Sequence, residues 1–413
     1  MLTLFAIPKA FRGHINTIQR NAIISWTLLY PRPEIILLGR DEGTAEIAEK
    51  FNLQHVPDVA CNEYGTPLLN SLFEIAQNVG KGSRFAYVNA DIILMNDFMA
   101  AVQNIPFERF MLTGQRWNLD VEEAIDFNNP DWENQLRNRI AQSGRPEGPQ
   151  AMDYFVFPHG IYQELPPFAI GRVFWDNWLL YKAMSADVPV IDATTAIVAI
   201  HQNHDYNHHP QGRDGIWQGA EAANNEKLVG GRDYAFFMLD LVNWLMTPQG
   251  LHKPQWTQQR LSRCLEMLPL VRPEFRGWAA LLNNLLEKRL YIDLGDTQMT
   301  QLCQNLGEAF FCNPSHWFWF SLDATTEEAI LYLPTPAQRE AKELRMQLQQ
   351  TQAELEQLKA QAERSHLQFQ HTQAELAQLR SVITGMESTK FWKLRTTWFK
   401  LKRRLGLVNE KYS

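Results

Sequence analysis

An apolar, strand-like run at residues 85–94 contains one carboxylate, Asp91. A carboxylate that is buried without a partner is strongly unfavourable, because the charge loses its hydration. Asp91 therefore needs a bound cation, a charged side chain or a cluster of hydrogen-bond donors. In α/β domains, an acid at the end of a strand commonly holds a divalent cation against a phosphate. The run thus favours an enzyme that uses a nucleotide.

The first 110 residues alternate between strand and helix patterns. Segments with apolar residues at helical spacing separate four strand-like runs, at 2–7, 34–39, 53–56 and 85–94. This βαβαβαβ order predicts an α/β fold with parallel strands and right-handed crossovers. Ligands of such sheets bind beyond the carboxyl ends of the strands. Asp41 and Asp91 both lie at such ends, so we expect them to share one cleft.

The pattern changes after residue 110. Strand-like runs and one helical segment continue to about residue 210, at 111–115, 152–157, 174–184 (the helix), 188–192 and 194–200. Between 232 and about 330 the pattern favours helices, at 234–246, 257–268, 278–286 and 299–310.

The composition limits the class of protein. A chain of 413 residues, 45% of them hydrophobic, is long enough for two or three domains with a large core. A formal net charge of −7 argues against general nucleic-acid binding. The four cysteines show no paired spacing, and we find no secretory leader and no apolar run that would span a bilayer. We therefore expect a cytoplasmic protein with reduced cysteines.

Two further segments carry candidate chemistry. In residues 171–178, Asp176 stands between two tryptophans near a helix start. An aromatic wall would raise the pKa of this acid and suit it to accept a proton. The alternative is an ordinary first helical turn, where an acid is favourable to the helix dipole. Residues 201–209 contain four histidines after an apolar strand. They are candidate transition-metal ligands, with a polar surface loop as the alternative.

The segments are more specific together than singly, since Asn89-Ala90-Asp91 alone is more often a turn or a helix cap than a metal site. An Asx-x-Asp after the fourth strand, an acid in a Trp-rich helix start and a later histidine follow the order of GT-A glycosyltransferases. The chain resembles bacterial nucleotide-diphospho-sugar transferases near family 2. The resemblance covers roughly residues 1–245 and rests on 41–43, 62–67, 87–91, 153–157, 167–172, 175–178 and 201–209.

The resemblance implies a GT-A fold with a metal site. Asp91 would hold Mn²⁺ or Mg²⁺ on the donor diphosphate. Either His201 or His204 would complete the site, and His201 is preferred because it is nearer to the strand end. Asn89 stands where the first acid of the family's motif normally lies, which weakens the expected metal ligation.

The resemblance also implies a donor pocket and a catalytic base. Asp41 would contact the base or ribose of the nucleotide, with Pro8 and Lys9 at the border of the same pocket. Arg172, in a matched segment, is assigned to donor binding. Asp176 would remove the proton from the acceptor hydroxyl in an inverting displacement.

The implied activity is metal-dependent transfer of a sugar from a nucleotide-diphosphate sugar to a saccharide or lipid-linked acceptor, in surface polysaccharide or glycolipid synthesis. One alternative is a nucleotidyltransferase on the same fold, because a fold does not define a reaction. Another is a non-catalytic coiled-coil scaffold with a degenerate GT-A domain, which the amide at Asn89 favours.

Residues 340–385 are predicted to form a coiled coil. Apolar residues keep a heptad register at Leu348, Leu355, Leu358, Ala362, Phe369, Leu376, Leu379 and Ile383. Residues 351–355 recur as 372–376. We expect a homo-oligomer, either a dimer or a trimer. A solvated single helix is the alternative, because several core positions are small or polar.

The last segment, 386–413, is basic and amphipathic. Its apolar residues recur at a spacing of three or four and its cations are interleaved with them. Such a helix predicts attachment to a membrane surface. An oligomer or domain contact is the alternative, and nucleic-acid binding ranks third because the rest of the chain is acidic.

The predicted domains are a GT-A-like catalytic domain at 1–231, a helical extension at 232–333, the coiled coil at 340–385 and the tail at 386–413. The expected location is the cytoplasm, with peripheral contact to the inner face of the membrane.

Overall fold

The structure, a computed structural model, describes residues 1–186, 188–204, 217–237, 242–277, 279–280, 282–283, 296–311 and 336–406. The chain divides into two compact units, Met1–Leu331 and Tyr332–Ser413. The first unit contains two sheets, and the second is helical in its described part.

The strands of the first unit are β1 Leu2–Ala6, β2 Glu34–Leu38, β3 Gln54–Val56, β4 Arg84–Val88, β5 Ile92–Ile93, β6 Met111–Thr113, β7 Arg116–Leu119, β8 Arg145–Pro146, β9 Tyr154–Pro158, β10 Val190–Asp192, β11 Ala199–Gln202, β12 Trp244–Thr247 and β13 Gly250–His252. Nine of them form one sheet in the order β13-β12-β10-β6-β9-β4-β1-β2-β3. β9 is antiparallel to β4 and β6, and β13 is antiparallel to β12. The other pairings in this sheet are parallel. A smaller sheet has the order β5-β11-β7-β8.

The helices of the first unit are α1 Gly13–Thr27, α2 Thr44–Phe51, α3 Leu69–Val79, α4 Asn96–Gln103, α5 Trp132–Ser143, α6 Trp175–Ser185, α7 Ala220–Val229, α8 Gln258–Val271 and α9 Asp296–Phe311. Short 3₁₀ turns lie at Arg232–Tyr234 and Pro273–Phe275.

Both faces of the large sheet are covered. β1 is buried along its whole length, so alternate residues pack on opposite sides. Leu4 joins a hydrophobic cluster with Trp26 of α1, whereas Phe5 meets Phe73 of α3 edge to face, with ring centroids 5.2 Å apart. The same burial explains why β1, β2 and β4 are mostly continuous apolar runs, whereas the half-buried edge strand β3 is not.

The α/β prediction and its parallel β3-β2-β1-β4 core are therefore confirmed. One predicted strand is different: the run at 85–94 ends at Val88, turns through residues 89–91 and continues as β5 in the smaller sheet. The main-chain N–H of Ile92 donates to the carbonyl of Asn89 at 3.1 Å and closes this turn. Asp91 thus lies in a bend between two sheets.

The helix predicted at 234–246 is wrong in its described part. Residues 244–247 are strand β12, which pairs with β10 through Ile191 and Trp244. Gly250, at φ 119°, then begins the antiparallel β13. Pairing at the edge of the sheet overrode the helical spacing of the apolar residues. The predicted strand at 194–200 begins only at Ala199, because an Asx turn places the N–H of Thr194 on Asp192.

The helices predicted at 257–268 and 299–310 are present as α8 and α9, and most of 278–286 lies outside the described residues. The domain boundaries stay predictions. Residues 244–252 nevertheless belong to the main sheet.

The second unit contains α10, a helix of 53 residues at Pro336–Ser388, and the shorter helix α11 at Lys390–Arg404. The coiled coil stays a prediction, and residues 407–413 of the tail lie outside the described part. A search of the described helices finds none with the length and apolarity needed to cross a membrane.

Candidate active site

Asp91 and two histidines that follow it by 110 and 113 residues meet beyond the carboxyl end of β4. Asp91 lies in the turn after β4, His201 lies in β11, and His204 follows it closely. The Nε2 atoms of His201 and His204 lie 3.7 and 3.1 Å from Oδ2 of Asp91. One ligand atom from each residue lies within 4.8 Å of the others, which is close enough for a single metal ion to bind all three.

Strand pairing brings these residues together. Ile92 pairs with His201 across the antiparallel β5 and β11. The fully buried Gln202 donates from Nε2 to the main-chain carbonyl of Asp91 at 3.0 Å, and its Oε1 accepts from Asn21 of α1 at 2.9 Å. The bend that carries Asp91 is therefore fastened from two sides.

The electrostatic state of the cluster suits a divalent metal. Burial alone would raise the pKa of Asp91, but the hydrogen bond with His204 and the charges of His201, His204 and Lys9 hold it well below its usual range. Burial lowers the pKa of His201. Within the described part of the chain, Asp91 Oδ1 and His201 Nδ1 are buried without a hydrogen-bond partner. An ionised carboxylate with a spare oxygen beside a neutral imidazole is a fitting donor set.

The side chain of Asn89 has a structural role that the sequence did not reveal. Its Nδ2 donates to Oδ1 of Asp153, and its Oδ1 accepts from the hydroxyl of Tyr87 at 2.9 Å. The second carboxylate oxygen of Asp153 accepts from Arg116 at 2.7 Å. An aspartate at position 89 would set two carboxylates against each other, so this arrangement requires an amide.

A cavity of about 370 Å³ lies over the cluster. All predicted site residues except Asp176 line it: Pro8, Lys9, Asp41, Asn89, Asp91, Arg172, His201 and His204. Their side chains come from the carboxyl ends of β1, β2 and β4 and from the two later segments, as the parallel sheet predicts. The structure thus brings these residues together, and their individual roles stay predictions.

A second cavity, of about 570 Å³, adjoins the first and shares Ile7, Asp41, Gly65 and Pro67 with it. Its remaining wall is formed by 39–40 and 57–61. Burial raises the pKa of Asp41 in this wall. Asp41 therefore stands between the two spaces.

The main chain at Lys9 is held by Gln19 of α1. The N–H of Lys9 donates to Oε1 of Gln19 at 2.6 Å, and Nε2 of Gln19 donates back to the carbonyl of Lys9 at 2.8 Å. Burial lowers the pKa of the Lys9 ammonium, and the charge of Asp91 opposes that shift. A cation is thus placed on the cavity wall near the metal-binding candidates.

Arg172 is tied into a network at the rim of the cavity. Its Nε and Nη2 both donate to Oε2 of Glu221, the former at 2.8 Å. The other oxygen of Glu221 accepts from Asn62 at 2.7 Å. Asn62 Oδ1 in turn accepts the N–H groups of Tyr64 and Thr66 at 3.0 Å. The loop at 62–66 and Arg172 are thereby connected through one acid.

Asp176 does not line the cavity that the described residues form. It lies in the first turn of α6, after Phe174 at φ 81°. Burial raises its pKa to about 7, against a hydrogen bond from the N–H of Asn177. The charges of Asp153 and Arg116 also act on Asp176, and both of those residues line the cavity. Asp176 is therefore close to the site without opening into it.

The tryptophans beside Asp176 are core residues rather than a pocket wall. Trp175 is 5% exposed and packs edge to face on Tyr87, with ring centroids 5.5 Å apart. Trp178 is also buried and packs against Phe168. These contacts position α6 against the sheet.

Four further residues of the site, Arg116, Asp153, Gln19 and Glu221, were not predicted from the sequence. A usable pattern existed for Asp153, because it directly precedes the apolar run of β9, and β9 starts beside the carboxyl end of β4. No such pattern existed for Arg116 and Glu221, since their partners lie 37 and 49 residues away, or for Gln19, whose side chain bonds the main chain of Lys9.

No family model matches the chain, and no curated protein matches it. Solved structures give low similarities. Glucosyl-3-phosphoglycerate synthase from Mycobacterium tuberculosis, in complex with Mg²⁺ and uridine diphosphate, has 12% identity and a TM-score of 0.31 over 50% of this chain and 73% of that one. A mannosyltransferase from Pyrobaculum calidifontis, in complex with GDP-Man and Mn²⁺, has 12% identity and a TM-score of 0.33 over 78% and 84%.

A further structure is 4-diphosphocytidyl-2C-methyl-D-erythritol synthase from Anaerococcus prevotii, with 9% identity and a TM-score of 0.28 over 46% of this chain and 86% of that one. These identities and TM-scores are too low to define the function of this chain, so its function depends on its own topology and side chains.

Proposed function

We propose that the chain is a metal-dependent glycosyltransferase of the GT-A type, which transfers a sugar from a nucleoside-diphosphate sugar to an acceptor hydroxyl. One observation carries the proposal: Asp91, His201 and His204 converge on a metal-sized site in a cavity that also presents Lys9 and Arg172. A metal site beside two cations at the carboxyl edge of a parallel sheet fits a diphosphate.

Asp91, His201 and His204 would hold the metal. The two imidazoles favour Mn²⁺ over Mg²⁺, which prefers oxygen ligands. When bound, the ion would neutralise charge on the leaving nucleoside diphosphate. Lys9 and Arg172 would bind its phosphate oxygens. Arg172 would then exchange at least part of its pairing with Glu221 for the phosphate.

The nucleoside would occupy the adjoining cavity of about 570 Å³. Asp41 lines both spaces, so it is positioned to contact a ribose hydroxyl or a base N–H while the diphosphate extends toward Asp91. Asp176 stays our candidate for the base that takes the acceptor proton, since a carboxyl with a pKa of about 7 suits general base catalysis at neutral pH. Because Asp176 does not line the described cavity, its side chain would have to turn toward that cavity when the acceptor binds. One displacement with this base inverts the anomeric centre.

The test is a thermal-shift panel of UDP-, GDP- and dTDP-sugars with and without Mn²⁺, followed by product analysis with the best donor. We expect one donor to raise the unfolding midpoint only when Mn²⁺ is present, and nucleoside diphosphate to be released on transfer. Release or consumption of pyrophosphate would identify a nucleotidyltransferase instead. If no donor raises the unfolding midpoint in a metal-dependent way, the result would favour the non-catalytic coiled-coil scaffold.

Variants separate binding from chemistry. His204→Ala should lose the Mn²⁺-dependent donor shift, whereas His252→Ala, at an exposed position of the edge strand β13, should keep it. Asp176→Asn should retain donor binding and abolish transfer. A fully active Asp176→Asn enzyme would remove Asp176 from the mechanism and leave the donor site intact.

A further inference from the structure

The helix α11 presents an uncovered apolar face. Five large apolar side chains recur at a spacing of three or four residues and fall on one side of the helix at 100° per residue. Their exposed fractions are high: Phe391 76%, Leu394 71%, Trp398 54%, Leu401 50% and Leu405 64%. In the described part of the chain, no side chain of α11 is buried. A contiguous apolar face of this kind indicates an interaction surface.

The same helix is strongly cationic. Residues 390–406 contain no acid and seven cations: Lys390, Lys393, Arg395, Lys400, Lys402, Arg403 and Arg404. By helical geometry, Arg395 and Lys402 border one side of the apolar face, and Lys390 borders the other side. The apolar face is therefore flanked by positive charge on both sides.

The cationic side chains lie along aromatic rings. The guanidinium of Arg395 lies 4.5 Å from the ring of Trp392, and the ammonium of Lys402 lies 5.5 Å from the ring of Trp398. The charged ends thus lie over aromatic faces in cation–π contacts, so cations and apolar side chains share one surface of the helix.

The helix is a separate element that a partner can engage by itself. Thr389 is extended, at φ −67° and ψ 148°, and interrupts the helix between α10 and α11. Its hydroxyl caps α11 by accepting from the N–H of Trp392. Thr396 and Thr397 donate their hydroxyls to carbonyls within the helix. These groups need no partner from outside.

The positive charge of α11 indicates which kind of partner binds its apolar face. A second copy of α11 on this face would bring seven cations against seven, with no acid in residues 390–406 to compensate. A surface that is both anionic and apolar at shallow depth satisfies the charges and the face together. At about 1.5 Å per residue, 15 residues span about 22 Å, so α11 is suited to lie along a bilayer surface rather than to cross the bilayer.

We propose that α11 binds the surface of an anionic lipid bilayer, with its apolar face in the headgroup boundary and its cations against acidic lipids. This inference does not depend on the proposed glycosyltransferase activity. It extends the expectation of peripheral attachment to the cytoplasmic leaflet, where acidic lipids concentrate.

The test is co-sedimentation of the full chain with two kinds of vesicle, at low and high salt. One kind is phosphatidylcholine alone, and the other also contains phosphatidylglycerol at about 30%. We expect binding to the acidic vesicles only, and weaker binding as salt rises. Arg395→Gln with Lys402→Gln should weaken binding about 30-fold, since each cation near an acidic surface contributes about fivefold.

A matched pair of variants separates the apolar face from general surface polarity. Leu394→Gln with Leu401→Gln should weaken binding about 100-fold, because two apolar side chains no longer leave water. Thr396→Gln with Thr397→Gln makes the same number of neutral changes off that face and should bind like the wild type. Circular dichroism and donor binding should be unchanged in all variants.

Three results would overturn the proposal. They are equal loss in the leucine and threonine variants, equal binding to neutral and acidic vesicles, or absence of binding to acidic vesicles by the wild type. Binding to duplex DNA in the absence of vesicle binding would assign the cations to nucleic acid instead.

Discussion

Nε2 of His204 lies 3.1 Å from Oδ2 of Asp91, although 113 residues separate them in the chain. The contact exists because Asp91 lies in the bend between β4 and β5, and because β5 pairs with the strand that carries His201. The metal-binding candidates are therefore placed by sheet pairing, which restricts their relative motion more than a free loop would.

Mn²⁺ should raise the midpoint of thermal unfolding of the wild type, and Asp91→Asn should abolish that shift. A ligand that binds only the folded state stabilises it by about 2.7 kcal/mol at a concentration 100 times its Kd. The measurement is a Mn²⁺ titration followed by thermal unfolding. Asp233→Asn, at an exposed 3₁₀ turn, is the control and should respond like the wild type. Equal shifts for Asp91→Asn and wild type would contradict the metal site.

Asn89→Asp should destabilise the protein even though it introduces the acid expected for the family. The new carboxylate would face the carboxylate of Asp153 and would replace the amide that donates to it, so two like charges would repel each other in a buried site. The loss of stability should be roughly 2 kcal/mol or more. Urea unfolding measures it.

Asn134→Asp is the matched control for that change. Nδ2 of Asn134 also donates to an aspartate, Asp131, at 2.6 Å, but this pair is exposed. Solvent screens the repulsion there, so the cost should stay below about 1 kcal/mol. A loss of stability in Asn134→Asp as large as that in Asn89→Asp would show that burial next to the site is not the cause.

Arg116→Met should be among the most destabilising changes at the site. The Arg116 and Asp153 side chains are 18% and 9% exposed, so removing the cation leaves a buried carboxylate uncompensated. Breaking such a pair costs about 3–5 kcal/mol. Arg12→Met breaks the Arg12–Glu42 pair, which is 74% and 62% exposed, and should cost far less stability because solvent screens the pair. Similar urea-unfolding midpoints for the two variants would contradict this ranking.

Asp176 should make stability depend on pH in a defined window. Its folded-state pKa of about 7 lies above the ordinary value of 3.8, so the native state keeps a proton that the unfolded state releases. This contribution to stability is complete below pH 3.8 and is lost as pH rises through 7. Asp176→Asn cannot titrate, so its stability relative to the wild type should increase across that window. Parallel stability–pH curves for the two proteins would refute the shift.

Gln19→Leu should weaken donor binding through the main chain of Lys9. The substitution leaves the N–H and the carbonyl of Lys9 without their side-chain partner, at a cost of about 1–3 kcal/mol. Gln77→Leu is the control, because Gln77 also bonds only main-chain groups, at Phe73, Gly160 and Tyr162, but does not line the cavity. Both variants should lose stability. Only Gln19→Leu should raise the donor Kd measured with Mn²⁺ present.

Local sequence patterns were sufficient to predict the parallel strands of the large sheet. The strands around Leu4, Ile36 and Ala86 are short apolar runs, and helical segments separate them. Apolar runs that alternate with helices are typical of parallel strands that are buried on both faces. The same order placed Asp41 and Asp91 at one edge of the sheet, because parallel strands all end on the same side. The amphipathic face of α11 could also be predicted from the sequence, since it depends only on the spacing of apolar residues along a helix.

The pairing of distant side chains was decided by tertiary structure alone. No spacing in the sequence relates Asn89 to Asp153 or Arg172 to Glu221, because each contact joins segments that meet only in the folded chain. The bend at 89–91 and the strand at 244–247 were also decided by strand pairing. The residues after the bend pair with β11, and 244–247 pair with β10. Backbone periodicity is a local property, whereas charge compensation and strand partnership are properties of residues that meet only after folding.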